Sequence, residues 1–132
     1  MIEPGDKVLE VYLEETTERL DSIESGLLKL EDSKDCDPEL VNSIFRDAHS
    51  VKAGANLLKL LTIEELSHKL ENVLEMIRKC DLEASEIIIT ASLESVDKLR
   101  ELVSNIDYAE DISIRLQTTM LEMAVKQTQD KD

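Results

Sequence analysis

Residues 37–55 read DPELVNSIFRDAHSVKAGA, and they combine a helix start signal with the periodicity of an amphipathic helix. Asp37 can cap the helix with its side chain, and Pro38 suits the first helical position. Apolar residues then recur at three- and four-residue steps, namely Leu40, Val41, Ile44, Ala48, Val51 and Ala55. The pattern predicts a second helix that buries one face and ends between Asn56 and Lys59.

The same periodicity predicts four more helices around this one. The first covers residues 7–31 and is followed by a polar break at 32–35. The third covers 62–79, with Ile63, Leu66, Leu70, Val73, Leu74 and Ile77 turned inward. It opens on Thr62-Ile63-Glu64-Glu65, a capping box in which Thr62 and Glu65 satisfy backbone N–H groups.

The last two predicted helices complete the set. The fourth spans about 84–103, with Ile87, Ile88, Ala91, Val96, Leu99 and Leu102 inward. The fifth begins near Tyr108, with Ile112, Leu116, Met120 and Met123 inward, and a polar tail that frays follows from Lys126. Short connections make sequential helices antiparallel neighbours. We therefore predict an all-α fold, an antiparallel up-down four-helix bundle with an additional C-terminal fifth helix.

The amino-acid composition limits the classes of function that this chain can have. The chain has 132 residues, which fits one domain, and 42% of them are hydrophobic but 2% aromatic, so the core should be aliphatic. Thirty acidic and 15 basic residues give a net charge of −15, which argues against nucleic acid and anionic membranes as partners. A secretory signal and a membrane-spanning run are both missing from the sequence, and Cys36 and Cys80 suit free thiols. These features predict a cytoplasmic protein.

His49 is the first candidate for chemistry. On a helical wheel it lies about 120° from the centre of the apolar stripe, so it should be partly exposed on a flank. Lys52 lies three residues on along the same surface. The small residues Ala53, Gly54 and Ala55 follow, and they suggest a flat strip on which a partner protein could dock.

The third helix offers His68 and Glu71, again three residues apart. If helices two and three are antiparallel neighbours, Glu71 can approach His49. A carboxylate that accepts the Nδ1–H of His49 fixes the tautomer and leaves Nε2 as the nucleophile. The alternative is that His49 is an ordinary surface histidine.

The sequence lacks residues that other kinds of functional site would require. Glu65 and His68 have the Glu-x-x-His spacing of a di-iron bundle, but that site needs a second such motif and two more carboxylates. Ser50 and Cys80 have no evident base to activate them. Because the di-iron pattern is incomplete, we expect no metal site. The sequence also contains no glycine-rich phosphate loop, so we expect no bound ATP or other cofactor.

Two motifs resemble a known family. His49-Ser50-Val51-Lys52-Ala53-Gly54-Ala55, followed by His68-Lys69-Leu70-Glu71-Asn72, is similar to the histidine phosphotransfer (HPt) domain of CheA-type chemotaxis kinases. That family carries a His-Ser-x-Lys-Gly-Gly-Ala segment and then His-x-x-Glu-Asn at this spacing. The chain departs from the pattern at Ala53, where the family has glycine, and the added methyl should narrow the approach to His49 slightly.

The resemblance implies a role for each matching residue. His49 would be phosphorylated on Nε2 by an ATP-binding kinase domain and would pass the phosphoryl group to an aspartate of a response-regulator receiver. Glu71 would orient the His49 ring, Lys52 would lie near the phosphoryl group, and His68 would belong to the same surface network. ATP would be used by the partner kinase and not bound here.

The resemblance also sets the domain organisation and the rival hypotheses. Residues 1–125 would form the phosphotransfer domain, which we expect to be monomeric, and residues 126–132 would form a polar tail or the start of a linker. The chain would be part of a histidine kinase or, alternatively, a stand-alone relay carrier for a hybrid kinase. From another class, it could be a helical interaction module that is not phosphorylated.

Overall fold

The computed structural model describes residues 6–33 and 37–130, and these residues are almost entirely helical. The elements in chain order are α1 (Lys7–Ser33), α2 (Pro38–Leu57), α3 (Leu61–Arg78), α4 (Glu86–Ser104), a 3₁₀ helix (Ile106–Asp111) and α5 (Arg115–Gln129). α1 packs on α2 and α4, and α3 packs between α2 and α4. α5 covers α4 and part of α3. The predicted bundle with a fifth helix is confirmed.

α2 begins and ends as the sequence predicts. The Asp37 carboxylate accepts hydrogen bonds from the backbone N–H groups of Glu39 and Leu40, at 3.0 and 3.4 Å. Pro38 occupies the first turn, where its missing N–H costs nothing. Lys59 follows the helix in the left-handed region with φ 60°, and this reverses the chain toward α3.

The predicted capping box at the start of α3 is wrong. α3 begins at Leu61, and no side chain of its own caps it. Glu110 of the 3₁₀ helix takes that role instead: its carboxylate accepts the backbone N–H groups of Leu61 and Thr62 at 2.9 Å, and also the Thr62 hydroxyl. A residue distant in sequence thus satisfies the free N–H groups of this helix.

Glu110→Ala should destabilise the fold by about 0.5–2 kcal/mol, the usual cost of losing a helix cap. Burial alone would raise the pKa of Glu110, but the hydrogen bonds from Thr62 and Leu61 lower it below 4.5. The carboxylate therefore stabilises the fold fully above its unfolded-state pKa, and the effect is lost as pH falls through the lower folded-state value. Urea unfolding at pH 7 and pH 4 measures both effects. Asp111→Ala, at an exposed neighbour, is the control.

The prediction for α5 is wrong in its start and in its inward face. Residues 106–111 form the 3₁₀ helix, and α5 begins at Arg115. Leu116 and Met123 are 65% and 53% exposed, whereas the buried residues of α5 are Gln117, Thr118, Leu121 and Ala124. The cause is a break in helical phase, since Ile112 lies in the connection before α5 and cannot set its stripe. α5 also continues to Gln129, into the segment predicted as a tail.

The buried core is aliphatic, as the composition predicts. All six predicted inward residues of α3 are buried, and so are five of the six predicted for α4. The exception is Ile87, which is 39% exposed on the outer side of the first turn of α4, whereas Ile88 and Ile89 of the same turn are buried. Cys80 is an exposed free thiol, whereas Cys36 and residues 34–35 of the predicted polar break lie outside the described residues, and α1 continues through residues 32 and 33.

α1 and α2 approach closely where α2 carries its glycine. A Cβ at Gly54 would lie 2.4 Å from Cε1 of Tyr12, so the ring occupies the space that a side chain would need. The Tyr12 hydroxyl donates a 2.9 Å hydrogen bond to the Val51 carbonyl oxygen, and burial raises the pKa of this phenol to about 12. Gly54 is therefore a packing residue between two helices.

Gly54→Ala should destabilise the domain by about 1–2 kcal/mol, because overpacking costs roughly 1–3 kcal/mol and the helix-propensity gain of alanine returns up to about 1. In a Tyr12→Ala background the same substitution should instead stabilise, since the ring that blocks the new methyl is gone. Urea unfolding of the four proteins measures the cycle. The same sign in both backgrounds would contradict the packing role.

Within residues 6–33 and 37–130, the helices are too polar or too short to cross a membrane.

Candidate functional site

His49 lies near the middle of α2 with its side chain 55% exposed. Its neighbours along the helix, Ala48 and Val51, point into the core and are buried. The ring therefore stands on the flank of α2 that borders α3, and the partial exposure predicted from the helical wheel is confirmed. An imidazole in this position is open to a molecule that approaches from solvent.

α3 runs antiparallel to α2 and brings a carboxylate to this flank. The side chain of Glu71, 8% exposed, places Oε2 in a short hydrogen bond with Nδ1 of His49. Its other oxygen, Oε1, accepts a 2.7 Å hydrogen bond from Nζ of Lys52. One turn farther along, Asn56 of α2 donates to Glu64 of α3 at 2.6 Å, which fixes the register of the two helices. The structure brings His49, Glu71 and Lys52 together.

The electrostatics of Glu71 determine the tautomer of His49. Burial alone would raise the pKa of Glu71, but the hydrogen bonds from Lys52 and His49 and the charges of both outweigh burial and lower this pKa. Glu71 is therefore ionised at neutral pH and can only accept hydrogen bonds. Because the carboxylate accepts from Nδ1, the proton of a neutral His49 resides on Nδ1. Nε2 keeps its lone pair and is the nucleophilic atom.

His68 lies on α3 one turn before Glu71 and is exposed. Its ring makes no hydrogen bond or ion pair with the residues that the structure describes, so its part in a surface network stays a prediction. Of the three small residues after Lys52, Ala53 is exposed on the side of His49, whereas Ala55 is buried and Gly54 faces Tyr12. The predicted flat strip is therefore reduced to Ala53, because the helix turns its neighbours inward.

Three residues near His49 were missed in the sequence. The Phe45 ring lies nearly parallel to the His49 ring, and the guanidinium of Arg78 lies over Phe45. Glu75 pairs with Arg78 at the end of α3. A shallow groove of about 270 Å³ runs beside the imidazole and is lined by Phe45, His49, Glu71, Asn72 and Glu75. The four-residue spacing of Phe45 and His49 was the available signal, since such pairs share a helix face.

The structure gives little support to a metal site or to a second site for chemistry. Across the part of the chain that the structure describes, His, Cys, Asp and Glu side chains form no group of three that could hold a metal ion. A larger groove of about 590 Å³ lies at the C-terminal end of α3, beside Ile77, Cys80 and Ile89. It contains none of the three residues that meet at His49, so the chemistry belongs to the α2–α3 flank.

Comparison with known proteins points to one family. Residues 7–109 match the family model described as the Hpt domain. Chemotaxis protein CheA of Rhizobium meliloti is 37% identical over 99 residues, which are 75% of this chain and 13% of that protein. Sensor histidine kinase CheAY of Helicobacter pylori is 30% identical over 123 residues, 93% of this chain and 15% of that protein. The chain thus corresponds to about a seventh of these relatives' length.

A solved structure has the same fold. The phosphorylated P1 domain of CheA3, crystallised in complex with CheY6 from R. sphaeroides, aligns with a TM-score of 0.81 at 21% identity. The alignment covers 93% of this chain and 98% of that one. The family match over residues 7–109, together with the histidine on an antiparallel helix pair, leads to one conclusion: this chain belongs to the Hpt domain family.

Proposed function

We propose that this chain is the phosphotransfer domain of a chemotaxis-type two-component kinase, in which His49 accepts a phosphoryl group and passes it to a receiver aspartate. The observation that carries the proposal is the pairing of an exposed His49 with a buried, ionised Glu71 at Nδ1. This arrangement leaves Nε2 free and nucleophilic. Membership of the Hpt family and likeness to proteins named CheA support the same function.

In the first step, Nε2 of His49 attacks the γ-phosphorus of ATP held by a partner kinase domain. The N–P bond forms while the bond from phosphorus to the β-phosphate oxygen breaks, and ADP leaves. Nδ1 keeps its proton, so the ring becomes cationic. Glu71, already ionised beside Nδ1, stabilises that positive charge without moving.

In the second step, a carboxylate oxygen of a receiver aspartate attacks the phosphorus. The O–P bond forms, the N–P bond breaks, and its electron pair returns to Nε2. His49 is again neutral with its proton on Nδ1, ready for another cycle. The domain acts as a carrier because its own residues supply neither an ATP site nor the final acceptor.

Lys52 and His68 have supporting roles in this proposal. The Nζ of Lys52 is held by Glu71, and its charge lies on the same surface as His49, where it helps to neutralise a phosphoryl group. His68 is exposed nearby on α3 and is a surface residue that a docked partner would meet. Both roles rest on position along the two helices.

The proposal also names the partners and the setting. A histidine kinase catalytic domain supplies the phosphoryl group and a response-regulator receiver removes it. The net charge of −15 disfavours contact between copies, which suits a monomeric domain, and a cytoplasmic location follows from the use of ATP by the kinase. The domain itself needs no bound cofactor for either step.

The test is phosphotransfer from radiolabelled ATP. We expect candidate kinases encoded near this chain to label it with a phosphate that acid removes and alkali does not, as an N–P bond behaves. Adding a cognate receiver should then move the label to the receiver within seconds to minutes. An acid-stable label would indicate a hydroxyl ester instead. If the folded chain stays unlabelled by every kinase yet still binds them, it is an interaction module.

A further inference from the structure

Beside the His49–Glu71 pair, three side chains form a series of contacts that begins at the His49 ring. The rings of Phe45 and His49 have centroids 6.2 Å apart and planes inclined by 18°. On Phe45, the Cζ atom of Arg78 lies 4.4 Å from the ring centroid. Glu75 holds that guanidinium, with Oε1 at 2.6 Å from Nε and 2.5 Å from Nη2. Glu75, Arg78, Phe45 and His49 thus form a continuous chain of contacts.

The two helices explain this arrangement. Phe45 precedes His49 by four residues on α2, so both rings emerge on one face. Arg78 is the last residue of α3, where a positive charge is favoured by the helix dipole. Because α3 runs antiparallel to α2, its C-terminal turn lies next to Phe45 while Glu71 lies next to His49. A planar guanidinium over an aromatic ring is a favourable cation–π contact.

The hydrogen bond from Nδ1 to Glu71 leaves one rotation of the His49 ring unconstrained. It fixes the position of Nδ1, but the ring can still tilt about the line that joins Nδ1 to the carboxylate oxygen. A nearly parallel aromatic ring restricts that tilt, because the offset-stacked pair is a favoured geometry and tilting the His49 ring away from it loses the contact. The hydrogen bond at Nδ1 and the stacked Phe45 ring together fix the direction in which the Nε2 lone pair points.

We propose that Phe45 is a positioning residue for phosphotransfer, which sets the plane of the His49 ring, and that Arg78, held by Glu75, keeps Phe45 in place. This inference rests on the proposed function of His49. A large partner must bring phosphorus in line with Nε2 and therefore depends on the ring plane. A small phosphodonor can align itself with Nε2 in whatever plane the ring adopts, so its reaction does not depend on the ring plane.

The first experiment compares these two kinds of donor. In Phe45→Leu, labelling by the kinase that phosphorylates the wild-type chain should slow by about fivefold, the scale of one aromatic pair. Labelling by potassium phosphoramidate should stay within about twofold. Phe45→Tyr keeps the ring and should restore the kinase rate. An unchanged kinase rate in folded Phe45→Leu, or an equal fall with both donors, would overturn the proposal.

Arg78→Ala tests the outer part of the chain of contacts and serves if Phe45→Leu does not fold. We expect the kinase rate to fall by about twofold to threefold, again without change toward phosphoramidate. Arg100→Ala is the matched control: Arg100 pairs with Asp21 and Glu24 across α1 and α4 but lies over no aromatic ring of the described residues. If both arginine variants slow labelling equally, the loss reflects charge or stability, and Arg78 has no positioning role.

The second experiment needs no kinase, so it separates this inference from the proposed function. Nuclear Overhauser contacts between the ring protons of Phe45 and His49 should be present in the wild-type chain. They should weaken in Arg78→Ala and persist in Arg100→Ala, while the Nδ1–H tautomer of His49 persists in both. If the wild-type chain shows no such contacts, the stack does not exist in solution and the proposal is wrong, whatever the labelling shows.

Discussion

His49→Gln will abolish labelling of this chain by its kinase. A glutamine amide nitrogen shares its lone pair with the carbonyl group, so it cannot attack phosphorus as the Nε2 atom of an imidazole does. The side chain at position 49 is 55% exposed but donates to the buried Glu71 carboxylate, so loss of that hydrogen bond should lower the free energy of unfolding by at most about 1.5–3 kcal/mol. The measurement is radiolabel incorporated from ATP, compared at equal concentrations of folded protein.

His68→Gln is the matched control for this prediction. It removes the other histidine, on the neighbouring helix and at a similarly exposed position. This variant should still be labelled, with a rate that changes by about threefold at most if His68 merely borders the docking partner. Label retained in folded His49→Gln would refute His49 as the acceptor. Label lost in His68→Gln alone would move the site to α3.

The elements that could be predicted from the sequence are those whose signals are local. Asp37 and Pro38 mark the start of α2, and the structure shows the predicted cap. The stripe of α3 from Ile63 to Ile77 is long and regular, and its residues are buried as predicted. Both signals depend on residues within a few turns of one helix, so no knowledge of the tertiary fold is needed to interpret them.

The sequence-based predictions fail where contacts between residues that are distant in the chain determine the local structure. Thr62 and Glu65 have the spacing of a capping box, but the chain reversal after α4 places Glu110 on the Thr62 N–H and hydroxyl, which the local box would have used. In α5, the buried stripe contains the polar residues Gln117 and Thr118 and is less apolar than the exposed one, so local hydropathy favours the wrong face. The tertiary packing that turns this stripe inward leaves no local signal in the sequence.

The candidate site shows the same division. The approach of Glu71 to His49 could be predicted because two adjacent antiparallel helices place their mid-points together. The packing role of Gly54 could not, since it depends on Tyr12 from α1. Phe45 was assigned neither to the apolar stripe of α2 nor to the candidate site at His49. Its contact with Arg78 depends on where α3 ends relative to α2, which the sequence leaves uncertain by several residues.

Glu71→Gln should slow phosphorylation of His49 by about tenfold to a hundredfold. A hydrogen bond to a charged group contributes about 1.5–3 kcal/mol, and each 1.4 kcal/mol is a factor of ten. Glutamine is nearly isosteric and can still accept from Nδ1, but it lacks the charge that stabilises the cationic phosphorylated ring. It also leaves Lys52 without its 2.7 Å partner. Initial rates of labelling, with saturating kinase, measure the effect.

The acid side of the stability profile provides an independent check on the same residue. The pKa of Glu71 is lowered in the folded state, so its carboxylate stabilises the fold above the unfolded-state pKa, and this contribution is lost as pH falls through the folded-state value. Glu71→Gln should remove that part of the pH dependence and leave the part due to Glu110. Glu64→Gln, about two turns from Glu71, controls for the loss of a carboxylate on α3. If Glu71→Gln and Glu64→Gln slow labelling equally, Glu71 does not act through the His49 ring.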